Sequence, residues 1–151
     1  MSAQDNAINY YSINEASKLT GLPSSTLRYY ESIGIIKPVT RDSSSKHRVY
    51  QQSDLDVLDT IACLNATGMA LEDMRTYISN ASDVDVDFDK QVDLLQTQAE
   101  RLRLEAEHIK LRQRYVKLKI EYWEVAKRGD EQRLREVSAQ AKQLARELKK
   151  S

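Results

Sequence analysis

The segment PSSTLRYYESIGII, residues 23–36, gathers side chains suited to reading a nucleic acid. Its first turn offers Ser24, Ser25 and Thr26, small hydroxyls that fit a groove floor or a phosphate. Arg28 can reach a guanine edge with two hydrogen bonds or hold a phosphate. Tyr29 carries a hydroxyl at phosphate distance on a flat ring. Downstream, Arg41, Lys46, His47 and Arg48 stand together where a flanking DNA backbone would run. Residue types alone leave both readings of Arg28 and Tyr29 open, DNA contacts or ordinary surface and core residues. The remaining chemistry is a single thiol, Cys63. It is either a small buried hydrophobe or a reactive sensor, and the second role needs exposure and neighbouring cations.

Charge supports the first reading without establishing it. Lys+Arg and Asp+Glu both total 23 over 151 residues. From Tyr10 to Tyr50, however, six cations (Lys18, Arg28, Lys37, Arg41, Lys46, Arg48) face three carboxylates (Glu15, Glu31, Asp42), a local excess of three. No Gly-rich phosphate loop, nucleophile motif or metal-ligand cluster is visible, so neither an enzyme nor a cofactor or metal site is expected. One cysteine excludes an intrachain disulfide framework. No run approaches the roughly 18 apolar residues of a membrane span. The start MSAQDNAINYYS lacks the basic and apolar regions of a signal peptide, so a cytoplasmic protein without a membrane partner is expected.

The elements that must position these residues are mostly helices, as two Pro, four Gly and 30% charged residues suggest. Ser12-Ile-Asn-Glu15 has capping-box spacing, and Ile13, Ala16, Ser17 and Leu19–Thr20 continue one short helix to Gly21. Pro23 restarts the chain, with Ser24 or Ser25 as cap, and a second helix runs to about Ser32 with Leu27 and Tyr30 facing in. Two short helices around a Gly-containing turn are the sequence form of a helix-turn-helix. Ile35–Pro38 and His47–Tyr50, flanking the polar TRDSSSK, predict a hairpin wing. Ser53 is the expected cap of a third helix bearing Leu55, Leu58, Ile61, Ala62 and Leu64. After Gly68 a fourth helix carries Leu71, Met74 and Ile78.

From Phe88 the apolar positions Val92, Leu95, Ala99, Leu102, Ala106, Ile109, Gln113, Val116, Ile120 and Trp123 follow in steps of four and three. This is a heptad seam with one polar core position, Gln113. A helix that long cannot bury its seam on the head alone, which predicts a partner chain. A second stripe, Leu104, His108, Leu111, Tyr115, Leu118 and Tyr122, lies on the other face, to be covered by the last helix, by a partner's head, or by both. His108 reads as a packed imidazole rather than a ligand, and Tyr115, Tyr122 and Trp123 as packing or an aromatic pocket. The expected organisation is a mainly α chain: a winged helix-turn-helix head over 10–80 with a small β-hairpin wing, a linker over 81–87, a dimerisation coiled-coil helix over 88–127, and a C-terminal amphipathic helix over 131–149.

The stretch YSINEASKLTGLPSSTLRYYESIGIIKPVTR, then HRVYQQSDLDVLDTIACLNATGMALEDMRTYI, resembles the head of the MerR family of transcription regulators. LRYYE, GII-x-P, the R-x-Y of Arg48–Tyr50 and the acidic-Leu start at Asp54-Leu55 fall in order, and Tyr50 thereby joins the DNA-binding set. The resemblance spans residues 10 to about 79, continued by the coiled coil to about 126. It implies a homodimer with an antiparallel coiled coil and two recognition helices about one DNA turn apart. It also implies a palindromic promoter with an overlong spacer, distorted on an effector signal so that RNA polymerase can engage.

Metal-sensing members of that family carry cysteines at the end of the dimerisation helix. KLKIEYWEVAKRGDEQ has neither Cys nor His. Multidrug-sensing members append a ligand domain, whereas about 22 residues follow Gly129 here. The single-cysteine branch that answers aldehyde or thiol stress has its cysteine in the helix after the wing, where Cys63 stands. Its neighbours Ala62, Leu64, Asn65 and Thr67 are neutral, a departure from the basic surroundings of that branch. A small organic ligand at the head–coil junction is the alternative signal. A coiled-coil adaptor that binds no DNA is the other alternative, but gives no reason for four cations around one short helix.

Overall fold

The computed structural model describes residues 9–150; the expectation about a leader falls partly on residues 1–8, outside the described residues. The first element is one that the sequence pattern does not announce. Strand β1 (Tyr10–Tyr11) pairs antiparallel with β2 (Tyr50–Gln51), Tyr10 opposite Gln51 and Tyr11 opposite Tyr50. Two-residue strands have no alternation to read. The pairing joins the start of the head to the end of the wing.

Helix α1 (Ile13–Thr20) begins with the expected reciprocal cap. The Glu15 amide donates to Ser12 Oγ and the Ser12 amide to Glu15 Oε1, both at 3.2 Å. Ala16 and Thr20 are buried, but Leu19 is 60% exposed, so the inward stripe is narrower than the apolar residues suggest. Gly21 ends the helix at φ 74°, its amide donating to Ser17 O at 2.9 Å. The Ser17 hydroxyl donates to Leu22 O at 2.6 Å, and the Leu22 amide to Thr20 Oγ1 at 3.3 Å, which pins the turn before the next helix. No heavy atom lies within 4 Å of a Cβ built on Gly21. Gly21→Ala should therefore cost only the left-handed backbone penalty, about 1–2 kcal/mol. Urea denaturation of this variant checks the figure; an unchanged midpoint would contradict it.

Helix α2 (Ser24–Ser32) is capped by Pro23 without a side-chain bond. Ser24 and Ser25 therefore lie inside its first turn rather than capping it. Proline's fixed φ starts the helix, and the Leu27 amide already bonds Pro23 O at 3.1 Å. At the other end the amides of Ile35 and Ile36 both turn back to Tyr30 O, at 3.0 and 3.4 Å.

That return corrects the expected wing register. Ile35 and Ile36 are buried in the core and tied to α2, so they are not free to pair as a strand. The pairing falls five residues later: Val49 donates to Thr40 O at 2.7 Å, Asp42 to His47 O at 2.9 Å, and Arg41 bridges Arg48. Helix α3 (Gln52–Ala66) is capped by Gln51 rather than Ser53. Asp54 supplies the carboxylate, accepting the Gln51 amide at 2.8 Å. Left-handed Gly68 leads to α4 (Leu71–Ala81). Leu27, Tyr30, Tyr50, Leu55, Leu58, Ile61, Met74 and Ile78 belong to a single apolar core. Removing one of its fully buried leucines would cost about 2–5 kcal/mol.

The 82–87 connection is closed by one buried side chain. Asn80 donates through Nδ2 to Asp87 O at 2.7 Å and accepts the Asp87 amide at 3.1 Å. The Asp87 carboxylate in turn accepts the Lys90 amide at 3.1 Å in the first turn of α5 (Phe88–Arg128).

The chain divides into two compact units between Leu94 and Leu95. In the second, Gly129 (φ 76°) breaks α5, and Asp130 accepts the Arg133 amide at 3.1 Å to start α6 (Glu131–Lys150). Val137, Ala141 and Leu144 of α6 are buried, as is Val125 of α5. His108, Leu111, Tyr115, Leu118 and Tyr122 are half-buried on the second stripe. The final helix thus covers that stripe, and Arg133 of α6 ties the pair together through Glu121 of α5, while also bonding Glu136 on its own helix. Leu104 stays exposed because 20 residues of α6 reach back only about 30 Å. The heptad seam has the opposite fate. Val92, Leu95, Leu102, Ile109, Val116, Ile120 and Trp123 are all exposed along the 41-residue helix. No helix among the described residues is long and apolar enough to cross a membrane.

Candidate nucleic-acid interface

Burial of Leu27 and Tyr30 fixes which side of α2 meets solvent. Ser25, Arg28, Tyr29 and Ser32, at spacing i, i+3, i+4 and i+7, form its exposed stripe. Ser24 and Thr26 are half-buried beside it. Tyr29 is 51% exposed, its ring 6.2 Å from that of Tyr30 at a 40° tilt. Ser32 was not among the expected residues, though its spacing from Ser25 and Arg28 would have found it. Its hydroxyl donates to Tyr29 O at 2.7 Å.

The wing tip is organised by one carboxylate. Asp42 Oδ1 accepts the Ser44 amide at 2.9 Å, the Ser44 hydroxyl at 2.7 Å and the Ser45 amide at 2.8 Å. These donors, the Ser45 amide foremost, lower its pKa from 3.8 to about 2. Lys46 takes a left-handed φ of 63°, and Arg41 Nη1 donates to Lys46 O at 3.1 Å. Arg41, Lys46 and His47 therefore project exposed from a defined turn. Because the folded pKa is depressed, the charged contribution is complete above 3.8 and disappears as pH falls through about 2. The Ser44 and Ser45 amide resonances should titrate with a midpoint near 2. A midpoint near 3.8 would contradict this account of the turn.

Two expected contacts have other duties. Arg48 Nε lies 2.7 Å from Glu31 Oε2, with side chains only 20% and 14% exposed. Glu31 Oε1 also accepts the Val39 amide at 3.4 Å. Arg48 is thus a positioning residue that braces the wing against α2. Glu31 is the missed member of the pair, for nothing local in the sequence marks a contact across 17 residues. Tyr50 is 0% exposed, a core ring rather than a solvent-facing contact. Its hydroxyl has no hydrogen-bond partner among the described residues, and burial, first among the causes, raises its pKa.

Cys63 is exposed on α3, so it is not a buried small hydrophobe. At the far end of α5 the Lys119 ammonium sits over the rings of Tyr115 and Tyr122, at 5.7 and 5.5 Å. Trp123 meets Tyr122 edge-on at 5.2 Å. Tyr115 and Tyr122 therefore flank a lysine, with Trp123 packed on Tyr122. Among the described residues no cluster of His, Cys, Asp or Glu is arranged to hold a metal.

A short α1–turn–α2 unit, a basic turn beside it and two supporting helices define a winged helix-turn-helix. Residues 11–81 match the family model described as MerR HTH family regulatory protein, and the head is a MerR-family helix-turn-helix domain. An uncharacterised HTH-type transcriptional regulator of Bacillus subtilis, YyaN, is 39% identical over 70 residues, covering 46% of this chain and 50% of its own. The HTH-type transcriptional regulator AdhR of the same organism is 30% identical over 89 residues, covering 59% and 63%. The chain thus spans about half the length of the first relative and less than two thirds of the second. Among solved structures, HiNmlR, a MerR family regulator lacking the sensor domain and bound to promoter DNA, has a TM-score of 0.65 at 23% identity, covering 85% of this chain and 96% of that one. A MerR family transcriptional regulator from Bacillus cereus has a TM-score of 0.64 at 23% identity, covering 92% and 98%. At that identity the likeness shows the fold. These relatives are described as transcription regulators.

Proposed function

We propose that the protein is a homodimeric transcription regulator that binds a palindromic promoter and activates it by distorting an overlong spacer for RNA polymerase. The observation that carries this reading is the polar stripe Ser25–Arg28–Tyr29–Ser32 on α2, held outward by two buried anchors. Arg41, Lys46 and His47 on the Asp42-organised turn serve as backbone contacts beside it. The solvent-facing heptad seam supplies the second half of the proposal. A second copy offers a self-complementary apolar stripe, and pairing would set two recognition helices on successive turns of one duplex face. The structural relative HiNmlR is bound to promoter DNA, which supports the DNA-binding half of the reading. Gel shift of the full chain on palindromes from its own upstream region tests the reading. A salt-sensitive, saturable complex is expected, and absence of any complex at low salt from a folded dimer would refute it.

The effector assignment is Cys63, whose exposed thiol is accessible to electrophiles. Cys63→Ser should keep wild-type promoter affinity and lose transcriptional induction by aldehydes. Normal induction in that variant would exclude the thiol as sensor.

A further inference from the structure

A cavity of about 700 Å³ opens in the head between α3, α4 and residues 34–38, the connection from the recognition helix to the wing. That volume suits a small organic ligand. Ile36, Val57 and Ile78 give it apolar walls, and Lys37 and Arg75 place two cations on its lining. Asp54 is the one carboxylate there, and it is engaged as the α3 cap through the Gln51 amide. Arg75 is not engaged in the same way. Its Nε is shut off from solvent without a hydrogen-bond partner, 3.8 Å from Glu72 Oε1, while the side chain as a whole stays 41% exposed. The exposed part of that guanidinium, on the lining with Lys37, is the group an anion in the cavity would meet, and a carboxylate matches its charge and planar geometry.

We propose that this cavity binds a small amphipathic carboxylate, its acid on Arg75 and its apolar body along Ile36, Val57 and Ile78. The position gives such a ligand a mechanical consequence. Residues 35 and 36 hang from Tyr30 O in the last turn of α2, so an occupant presses on the connection that joins recognition helix to wing. That consequence rests on the DNA-binding reading of the head; the binding itself does not.

Octanoate is a suitable probe, titrated into the full chain without DNA and followed by amide NMR. Shifts are expected in residues 34–38 and 75–79. Octanol, which keeps the body and loses the charge, should bind at least about tenfold more weakly, the worth of one charge-assisted hydrogen bond. Arg75→Gln should remove that preference without unfolding the head, because the ion pair it gives up, to Glu72 on the same helix at 3.8 Å, lies at the surface. Ser79→Trp, changed from an exposed position on the lining, should block the site by bulk alone. No shifts at millimolar octanoate, shifts confined to the α5 seam, or equal binding of octanol would each overturn the proposal. Because the spectra contain no DNA, loss of the ligand shifts overturns the cavity site alone. Failure of promoter binding overturns the regulator reading alone.

Discussion

Ile109→Glu is expected to convert the protein from dimer to monomer while leaving each chain folded. Ile109 lies near the middle of the α5 seam and is exposed in the isolated chain, so neither the head core nor the α5–α6 pair depends on it. In a paired coiled coil the same position would be enclosed by side chains of the second copy. An uncompensated buried charge costs about 3–5 kcal/mol, which corresponds to a loss of about two orders of magnitude or more in dimer affinity. Lys142→Glu, on the exposed side of α6, is the matched control and should remain dimeric. Sedimentation velocity separates the outcomes. An Ile109→Glu protein that still sediments as a dimer would place the interface elsewhere.

Arg28→Ala should weaken promoter binding by about 5- to 150-fold, the range for one bidentate base contact at 1–3 kcal/mol, with thermal stability unchanged. The expectation of unchanged stability comes from the structure: Arg28 is exposed on α2, and the buried residues of that helix are Leu27 and Tyr30. Arg41→Ala should behave differently, reducing affinity on all sequences and lowering the salt slope by about one. Arg48→Ala should show a third pattern. It removes the half-buried bond to Glu31, so the loss appears first as a lower melting temperature and a looser wing. If Arg48→Ala instead changed only the salt slope, the Glu31 brace would have no structural role.

The parts of this fold that were legible in the sequence are those written in local periodicity and capping chemistry. Ser12 and Glu15 announce the start of α1, Gly21 its end, and the four-three spacing from Phe88 traces α5 over most of its length. The second stripe was visible too, although only the structure assigns α6 to it. What escaped depends on contacts between residues far apart in the chain. Tyr10 and Tyr11 look like an approach to α1 until Tyr50 and Gln51 come alongside. Ile35 and Ile36 have strand-like side chains, but their amides are claimed by Tyr30 and their side chains by the core, which moves the wing pairing to Thr40–Val49.

The interface follows the same division. Arg28 and Tyr29 are exposed because their helical neighbours Leu27 and Tyr30 are apolar enough to be buried, a pattern present in four consecutive letters. Arg48 and Tyr50 carry the residue types of DNA contacts, yet Glu31 takes one and the core takes the other. Charge counting cannot see either fate. Cys63 is a different case: the sequence leaves burial and exposure both open, and its face of α3 turns outward.

The central claim is that two copies of this chain present paired recognition helices to one palindrome. Hydroxyl-radical footprinting of the full-length protein on its upstream DNA tests it most directly. The account predicts two symmetric protected patches on one face of the duplex, centred about 34–36 Å apart, both lost together in Ile109→Glu. A single patch, or protection that persists unchanged in that monomeric variant, would contradict it.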